Sequence, residues 1–478
     1  MVLLIDKYTS YDVTVQTELK FEERPFPTVT LCNLNPYMMS RVDQSAEVKE
    51  LMDAYSEKIQ NQSHKNEKWF DSGSEATDSI AVQSKAREHL LYLGRQLPSD
   101  TKNEMSYTLD DHDFRSGFVM DCAFNTRPCE IALSSSANPR ADFVERFDPI
   151  YGKCFTFNFN ASKMSSRAGP LYGLRLLAVS NQEEYLPLTE SAGIRVAVHG
   201  AKEQPFPDAF GYNAAAGFTT SFGIKFIKTR RLSYPHGNCT DKQEHIEYYY
   251  EHIDGSRGTF QVEGCFRSCY QKYVILTCGC GDPRFALPDS SLTKEDGTVI
   301  ENPKYCDTFD NVGRDCVSNF SSGVGTNFNV VQKCTCPQPC TEATYGVTVS
   351  TALWPSDVYS PPDCEADKED ENGNPIEKPW VRQGKTCIEW YKENTMLIEV
   401  YYERMNYQLL SESEAYTIVN LISDMGGQLG LWMGISVITV VEFLSLFVLL
   451  CMYCFSRHRD YDDEYEDENE NPFDGKAN

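Results

Sequence analysis

The sequence predicts an α+β protein: a large disulfide-rich extracellular domain of sheets and helices carried on transmembrane α-helices. Three observations lead there. Sixteen of the 18 cysteines lie between Cys32 and Cys387, and an even number confined to one region reads as a disulfide framework in an oxidising compartment. Four Asn-x-Ser/Thr sequons, at Asn61, Asn160, Asn238 and Asn319, share that region and mark it as glycosylated and extracellular. From 425 to 455, 31 residues carry one charge, Glu442. As a helix they would cover about 46 Å, more than the roughly 30 Å of bilayer hydrocarbon.

Composition removes several classes. With 70 Asp and Glu against 44 Lys and Arg, a formal charge of −26, the chain lacks the basic footprint that nucleic acid requires. An acidic surface suits cations or cationic ligands instead. There is no His-Glu-x-x-His, no Gly-x-Ser-x-Gly and no phosphate-binding glycine loop, so neither an enzyme nor a cofactor is expected. Two Cys-x-Cys pairs raise the possibility of zinc, but structural zinc sites prefer Cys-x2–4-Cys pairs and intracellular settings. No structural metal is expected.

Taken in order, residues 1–11 read as the end of a first transmembrane helix, since MVLLI alone is too short to span and the domain after it must be translocated. The extracellular domain is expected over 12–424. Alternating apolar residues predict strand across 12–35, and polar, helix-prone stretches predict helices over 48–59 and 84–97. Runs of β-branched and aromatic residues predict strands over 172–198 and 217–227. Helices are expected over 248–273 and 384–410, separated by a charged Gly/Pro-punctuated loop at 365–379. Residues 425–455 are the second transmembrane helix. The acidic tail, 456–478, is expected to be cytoplasmic, because Arg457, His458 and Arg459 follow the apolar run at once, and disordered from Asp460 onward, where large apolar residues are almost absent.

Cysteine spacing carries geometry. Cys265 and Cys269 are four apart on a predicted helix, one face, with about 6 Å of rise. Cys334 and Cys336 are two apart in an extended reading, one face, at roughly 6.6–6.8 Å. A helix beside a strand could therefore carry two parallel bridges, 265–336 and 269–334, and Cys239 with Cys340 would extend a nested, antiparallel ladder. Cys278 and Cys280 would take Cys306 and Cys316, in an order that spacing leaves open.

The apolar run is not a plain anchor. Gly426, Gly430 and Gly434 recur at i, i+4, i+8, a small-xxx-small pattern that lets helices approach closely. Gly434-Ile435-Ser436 offers backbone carbonyls and a hydroxyl, and rings of such oxygens can replace an ion's water. Glu442 is costly in lipid, by roughly 2.5–3.5 kcal/mol on insertion scales, and acids there usually face a polar interior. Cys451 and Cys454 read as ordinary helix-end residues.

These residues resemble a known family. Phe26-Pro-Thr-Val-Thr-Leu-Cys-Asn33 is similar to the block after the first transmembrane helix of the degenerin / epithelial sodium channel / acid-sensing ion channel superfamily. Cys334-Thr-Cys-Pro-Gln-Pro-Cys340, with Tyr345, Ser350 and Trp354-Pro-Ser356, resembles its palm-and-thumb signature. Asp424-Met-Gly-Gly-Gln-Leu-Gly-Leu-Trp-Met-Gly-Ile-Ser436 resembles its pore signature. The resemblance runs from about Tyr8 to Arg457 and is strongest, over 26–36 and 217–239, to invertebrate FMRFamide-gated sodium channels.

The resemblance implies a plasma-membrane, multi-pass trimer of identical subunits with a β palm, a β-ball, and helical finger, thumb and knuckle. Gly434, Ile435 and Ser436 would form the selectivity belt for permeant Na+, Asp424 the pore mouth and Glu442 a pore acid. Ser423 matches the position where bulky side chains hold such channels open. The ladder is the family's thumb pairing, with Cys32–Cys154, Cys122–Cys129, Cys278–Cys316 and Cys280–Cys306 besides; Cys364 and Cys387 are additional and would close the charged loop.

The function expected is a sodium-selective channel opened by a short amidated neuropeptide of the RFamide type. A cationic peptide with aromatic ends needs acids beside apolar surface, which Trp69, Phe70, Asp71, Tyr107, Asp110, Asp111, Asp113 and Phe114 offer. Proton gating is the first alternative, although Ser445 stands where proton-gated members often have a second pore acid, and Tyr234-Pro-His-Gly lacks their Trp. Constitutive or mechanical gating is another. A single-pass cysteine-rich receptor or adhesion ectodomain is the alternative from a different class.

Overall fold

A computed structural model describes residues 2–60, 68–70, 79–109, 117–134, 141–240, 246–250, 259–323, 328–365, 378–434 and 437–467. The described strands are β1 (Val13–Phe21), β2 (Thr28–Asn33), β3 (Val119–Phe124), β4 (Arg127–Pro128), β5 (Phe143–Asp148), β6 (Gly152–Phe157), β7 (Leu174–Val179), β8 (Gly193–His199), β9 (Tyr212–Ala215), β10 (Phe218–Arg230), β11 (Leu292–Thr293), β12 (Val299–Ile300), β13 (Thr341–Leu353), β14 (Thr395–Tyr402) and β15 (Asn406–Glu414). The helices are α1 (Val2–Thr9), α2 (Ala46–Ile59), α3 (Ser79–Gln96), α4 (Ser99–Met105), α5 (Val262–Cys278), α6 (Asn311–Ser322), α7 (Val330–Lys333), α8 (Pro362–Glu365), α9 (Pro379–Arg382), α10 (Cys387–Asn394), α11 (Ile418–Met433) and α12 (Val437–Asp467).

The chain forms two units, one of residues 16–411 and one of residues 1–15 with 412–478. Besides the small β11-β12 pair in the larger unit, the strands form two large sheets. One has the order β1-β15-β10-β14-β7-β3-β4, with β13 on β10; the other runs β5-β6-β2-β8-β9. Their facing side chains make one core: Val29 and Leu31 of β2, Phe155 and Phe157 of β6, Leu174 and Leu176 of β7, Phe222 of β10 and Ile398 of β14 are all fully buried. Such sheet-on-sheet packing is what alternating and continuous apolar strands make when no water can reach between them. The turn into β6 needs Gly152: its φ is +69°, and an added Cβ would lie 2.5 Å from the Pro36 carbonyl oxygen.

Helices α2, α3 and α4 pack Val48, Leu51, Met52, Ala86, Leu90 and Met105 into a second core. Ser45 caps α2, its hydroxyl accepting from the Val48 N–H, which is why this helix begins where it does. Asn35 ties this core to the chain after β2. Its amide donates to the Tyr107 hydroxyl and the Glu184 carbonyl, and its oxygen accepts from Leu186 N–H and Thr189 Oγ1. A buried amide with every group satisfied fixes one arrangement of the loops around it.

Two predicted helices are corrected. Over 248–273, helix begins only at Val262, and Tyr248 and Tyr250 pack as non-helical chain on Phe260 and Phe206; aromatic bulk favours an extended course there. Over 384–410, α10 ends at Asn394 and the chain continues as β14 and β15. Met396, Leu397, Ile398 and Val400 are buried on both faces of β14, so the alternation that announces a half-buried strand is missing. The single predicted strand over 172–198 is two, β7 and β8.

Cysteines staple the larger unit at eight places: Cys32–Cys154, Cys122–Cys129, Cys239–Cys340, Cys265–Cys336, Cys269–Cys334, Cys278–Cys316, Cys280–Cys306 and Cys364–Cys387. Cys32 and Cys154 face each other across neighbouring strands. Cys265 and Cys269, one turn apart on α5, bond the extended segment Cys334-Thr-Cys336, with Cα–Cα distances of 5.9 Å at both rungs.

Candidate functional site

In the smaller unit, Ala415 N–H donates to the Asp12 carbonyl at 2.9 Å, and Thr14 Oγ1 lies 3.0 Å from Ser413 Oγ. These contacts fix the chain entering α11. The Thr417 hydroxyl accepts from Asn420 N–H and caps that helix. Just before it, Tyr416 lies under Lys7, whose Nζ is 4.5 Å from the ring centroid, and the Tyr416 hydroxyl donates to Asp424 Oδ2 at 2.7 Å. The carboxylate at the predicted pore mouth is thus held by a charge-assisted bond, and that bond pushes the Tyr416 phenol up to about 12. Ser423 beside it is exposed.

The predicted continuous helix over 425–455 is corrected: it is two helices. Gly434 takes φ +64°, and its N–H closes on the Gly430 carbonyl at 3.2 Å, ending α11. Only glycine adopts that conformation without penalty. The sequence placed Gly434 both in a packing stripe and at the start of the Gly434-Ile435-Ser436 oxygens, within one helix whose end at this residue it did not expect. Ile435 and Ser436 lie outside the described residues. Beyond them α12 exposes apolar side chains on all sides from Ile438 to Tyr453, with Glu442 exposed among them. The Ser445 hydroxyl donates to the Glu442 carbonyl at 2.8 Å. A helix apolar all round needs a non-aqueous environment. Among the described residues, no helix is long and apolar enough to cross a membrane. The helix runs on to Asp467, into the tail expected to be disordered, because extending a helix adds one bond per residue fixed and needs no new nucleus.

The peptide-binding candidates separate. Asp71, Asp110, Asp111, Asp113 and Phe114 lie outside the described residues. Trp69, Phe70 and Tyr107 are buried, at 2%, 5% and 2% exposure, which corrects their reading as a ligand-facing surface. Trp69 meets the edges of His89 and Phe309 with ring centroids 5.4 and 5.1 Å apart, and Tyr107 is bonded to Asn35. An aromatic next to acids looks like surface chemistry in a sequence, but its bulk is worth more in a core. Trp69→Ala is expected to cost about 3–5 kcal/mol. The check is surface expression and melting temperature, both of which should fall, while residual current keeps its agonist potency.

Sequence reasoning missed a cavity of about 670 Å³ in the larger unit, bordered by Tyr37, Glu88, Tyr92, Tyr151, Asp282 and Arg284. Asp282, buried, takes both Nε and Nη2 of Arg284. Burial pushes the Glu88 carboxyl up. Nothing in the sequence marks these residues, which come from four separated segments. Of the sequons, Asn160, Asn238 and Asn319 are exposed; Asn61 lies outside the described residues.

The family model described as amiloride-sensitive sodium channel matches residues 1–446. The chain is 40% identical to degenerin unc-8 of Caenorhabditis elegans over 79% of its own length and 44% of that protein's. It is 38% identical to degenerin mec-4 of Caenorhabditis briggsae, over 78% and 43%. It is also 38% identical to the degenerin-like protein asic-1 of C. elegans, over 80% and 41%. The chain therefore spans less than half the length of the curated relatives it matches.

Proposed function

The chain belongs to the amiloride-sensitive sodium channel family, a family of channels and not of enzymes, and from that premise we propose that it is a subunit of a sodium-selective channel in the plasma membrane. Three copies would surround one pore. Residues 425–455 would cross the bilayer, with Asp424 concentrating cations at the outer mouth and Gly434, Ile435 and Ser436 stripping and guiding Na+. Glu442 would lie deeper along the pore. The observation that carries this reading is the left-handed turn at Gly434 inside an apolar run. A single-pass anchor has no use for a helix break, whereas a filter needs carbonyls freed from helical bonding.

The test is voltage-clamp recording from cells expressing the full-length protein. Ser423→Phe is expected to give a standing inward current without any ligand, at least about tenfold above wild type, carried by Na+ and lost when a large organic cation replaces it. A surface-expressed variant without current would remove the channel reading.

For gating, a short amidated cationic peptide of the RFamide type remains the reading we favour over protons or membrane tension. Its support is the likeness of residues 26–36 and 217–239 to peptide-gated channels, together with a cavity where tyrosines adjoin Glu88. Applying an RFamide panel, then acid, then neither separates the three, and a current evoked by acid alone would overturn peptide gating.

A further inference from the structure

In the smaller unit, residues 2–15 and 412–434 hold five carboxylates, Asp6, Asp12, Glu412, Glu414 and Asp424, and one basic side chain, Lys7. Lys7 stands exposed in the last turn of α1, where a positive charge suits the helix dipole. It forms no ion pair with any of these acids among the described residues. Its Nζ rests instead over the Tyr416 ring, 4.5 Å from the centroid, the arrangement in which an aromatic face attracts a cation.

Tyr416 joins that cation to the acid at the head of the apolar run. Its hydroxyl donates to Asp424 Oδ2 at 2.7 Å, the one side-chain bond Asp424 makes among the described residues. The tyrosine is buried, at 7% exposure, while Lys7 and Asp424 are both exposed. The phenol thus keeps an ammonium and a carboxylate close together without letting them pair. A lysine in direct contact would cancel the carboxylate at every salt concentration. This one acts through space, over a Debye length of about 30 Å at 0.01 M salt but about 3 Å at 1 M.

We propose that Lys7 is the residue that limits Na+ entry at the outer pore mouth: its ammonium, seated on the Tyr416 ring, subtracts from the cation-attracting field of Asp424. This role rests on the reading of Asp424 as the pore mouth. Three copies would set three ammoniums beside three carboxylates, where the acids alone would leave three negative charges to concentrate Na+. Tyr416 is the positioning residue, because it fixes the place of both charges.

The experiment is single-channel recording from the full-length protein carrying Ser423→Phe, whose expected standing current needs no ligand, with Lys7→Gln added. In external Na+ of about 0.01 M, inward unitary conductance is expected to rise about threefold. Outward conductance should change little, since those ions arrive from the other side. At about 1 M the difference should shrink below about 1.2-fold. Lys7→Arg keeps the charge and the seat on the ring and should restore the parental salt dependence. Tyr416→Phe keeps the seat but loses the bond to Asp424, so Lys7→Gln should still raise conductance in that background; in Tyr416→Leu, which removes the seat, the rise should be smaller. A lysine that only marks the end of a helix at the membrane surface leaves unitary conductance unmoved. That result, or an equal rise at low and high salt, would overturn the role of Lys7 and leave the channel reading intact. A parent without any standing current would overturn both.

Discussion

Gly434→Val abolishes sodium current while leaving the protein on the cell surface: that is the expected result at the helix break. The φ of +64° at this position costs an L-residue roughly 1–2 kcal/mol, more when β-branched. In the proposed trimer the strain is counted three times, about 3–6 kcal/mol in all. The chain has a cheaper course, which is to continue α11 into α12 and withdraw the carbonyls after residue 433 into helical bonds. An added Cβ at Gly434 meets no atom within 4 Å, so the effect comes from backbone conformation and not from crowding. The check is whole-cell current and reversal potential in mixed Na+ and K+, with surface labelling as the control. Asp424→Asn, which keeps a partner for Tyr416, should reduce conductance without altering the break. Normal current and ion preference in Gly434→Val would remove the break from any role in permeation.

The second large effect lies in the ladder on α5. The two rungs span separations of 71 and 65 residues, which differ by six. When one rung is cut and the other holds, the loop released is only those six residues, and the loss in chain-entropy terms is about 2 kcal/mol. When both are cut, the constraint falls back to Cys239–Cys340, whose separation of 101 exceeds the next rung's by 30. Closing that longer loop is worth about a further 3–4 kcal/mol. Cys269→Ser with Cys334→Ser should therefore fold and reach the surface, with a melting temperature lowered by a few degrees. Cutting both rungs should cost about 6 kcal/mol, most of a domain's usual stability, and leave little folded protein. Equal losses in the single-rung and double-rung variants would contradict nesting.

Much of the larger unit was legible because its signals are local. The Cys-x3-Cys and Cys-x-Cys spacings carry matching rises, and Ser45 with the apolar periodicity after it marks α2. β14 was illegible because a strand buried on both faces has no alternation, and its residues read equally well as a helix. Trp69 and Tyr107 misled for the opposite reason: polar neighbours in sequence say nothing about what packs over a ring in space. Gly434 belonged to a glycine repeat, and a repeat hides which member takes the left-handed turn.

Strand β10 has a further mechanical meaning. All 13 of its residues, Phe218–Arg230, pair antiparallel with β13, while its other edge is paired in parallel with β14 and then β15. Tension applied along this strand would slide it against its neighbours, so many hydrogen bonds resist together and none can be peeled off in turn. A pull at one end therefore reaches the other almost undiminished, and the centre of this fold behaves as a tendon that stretches little.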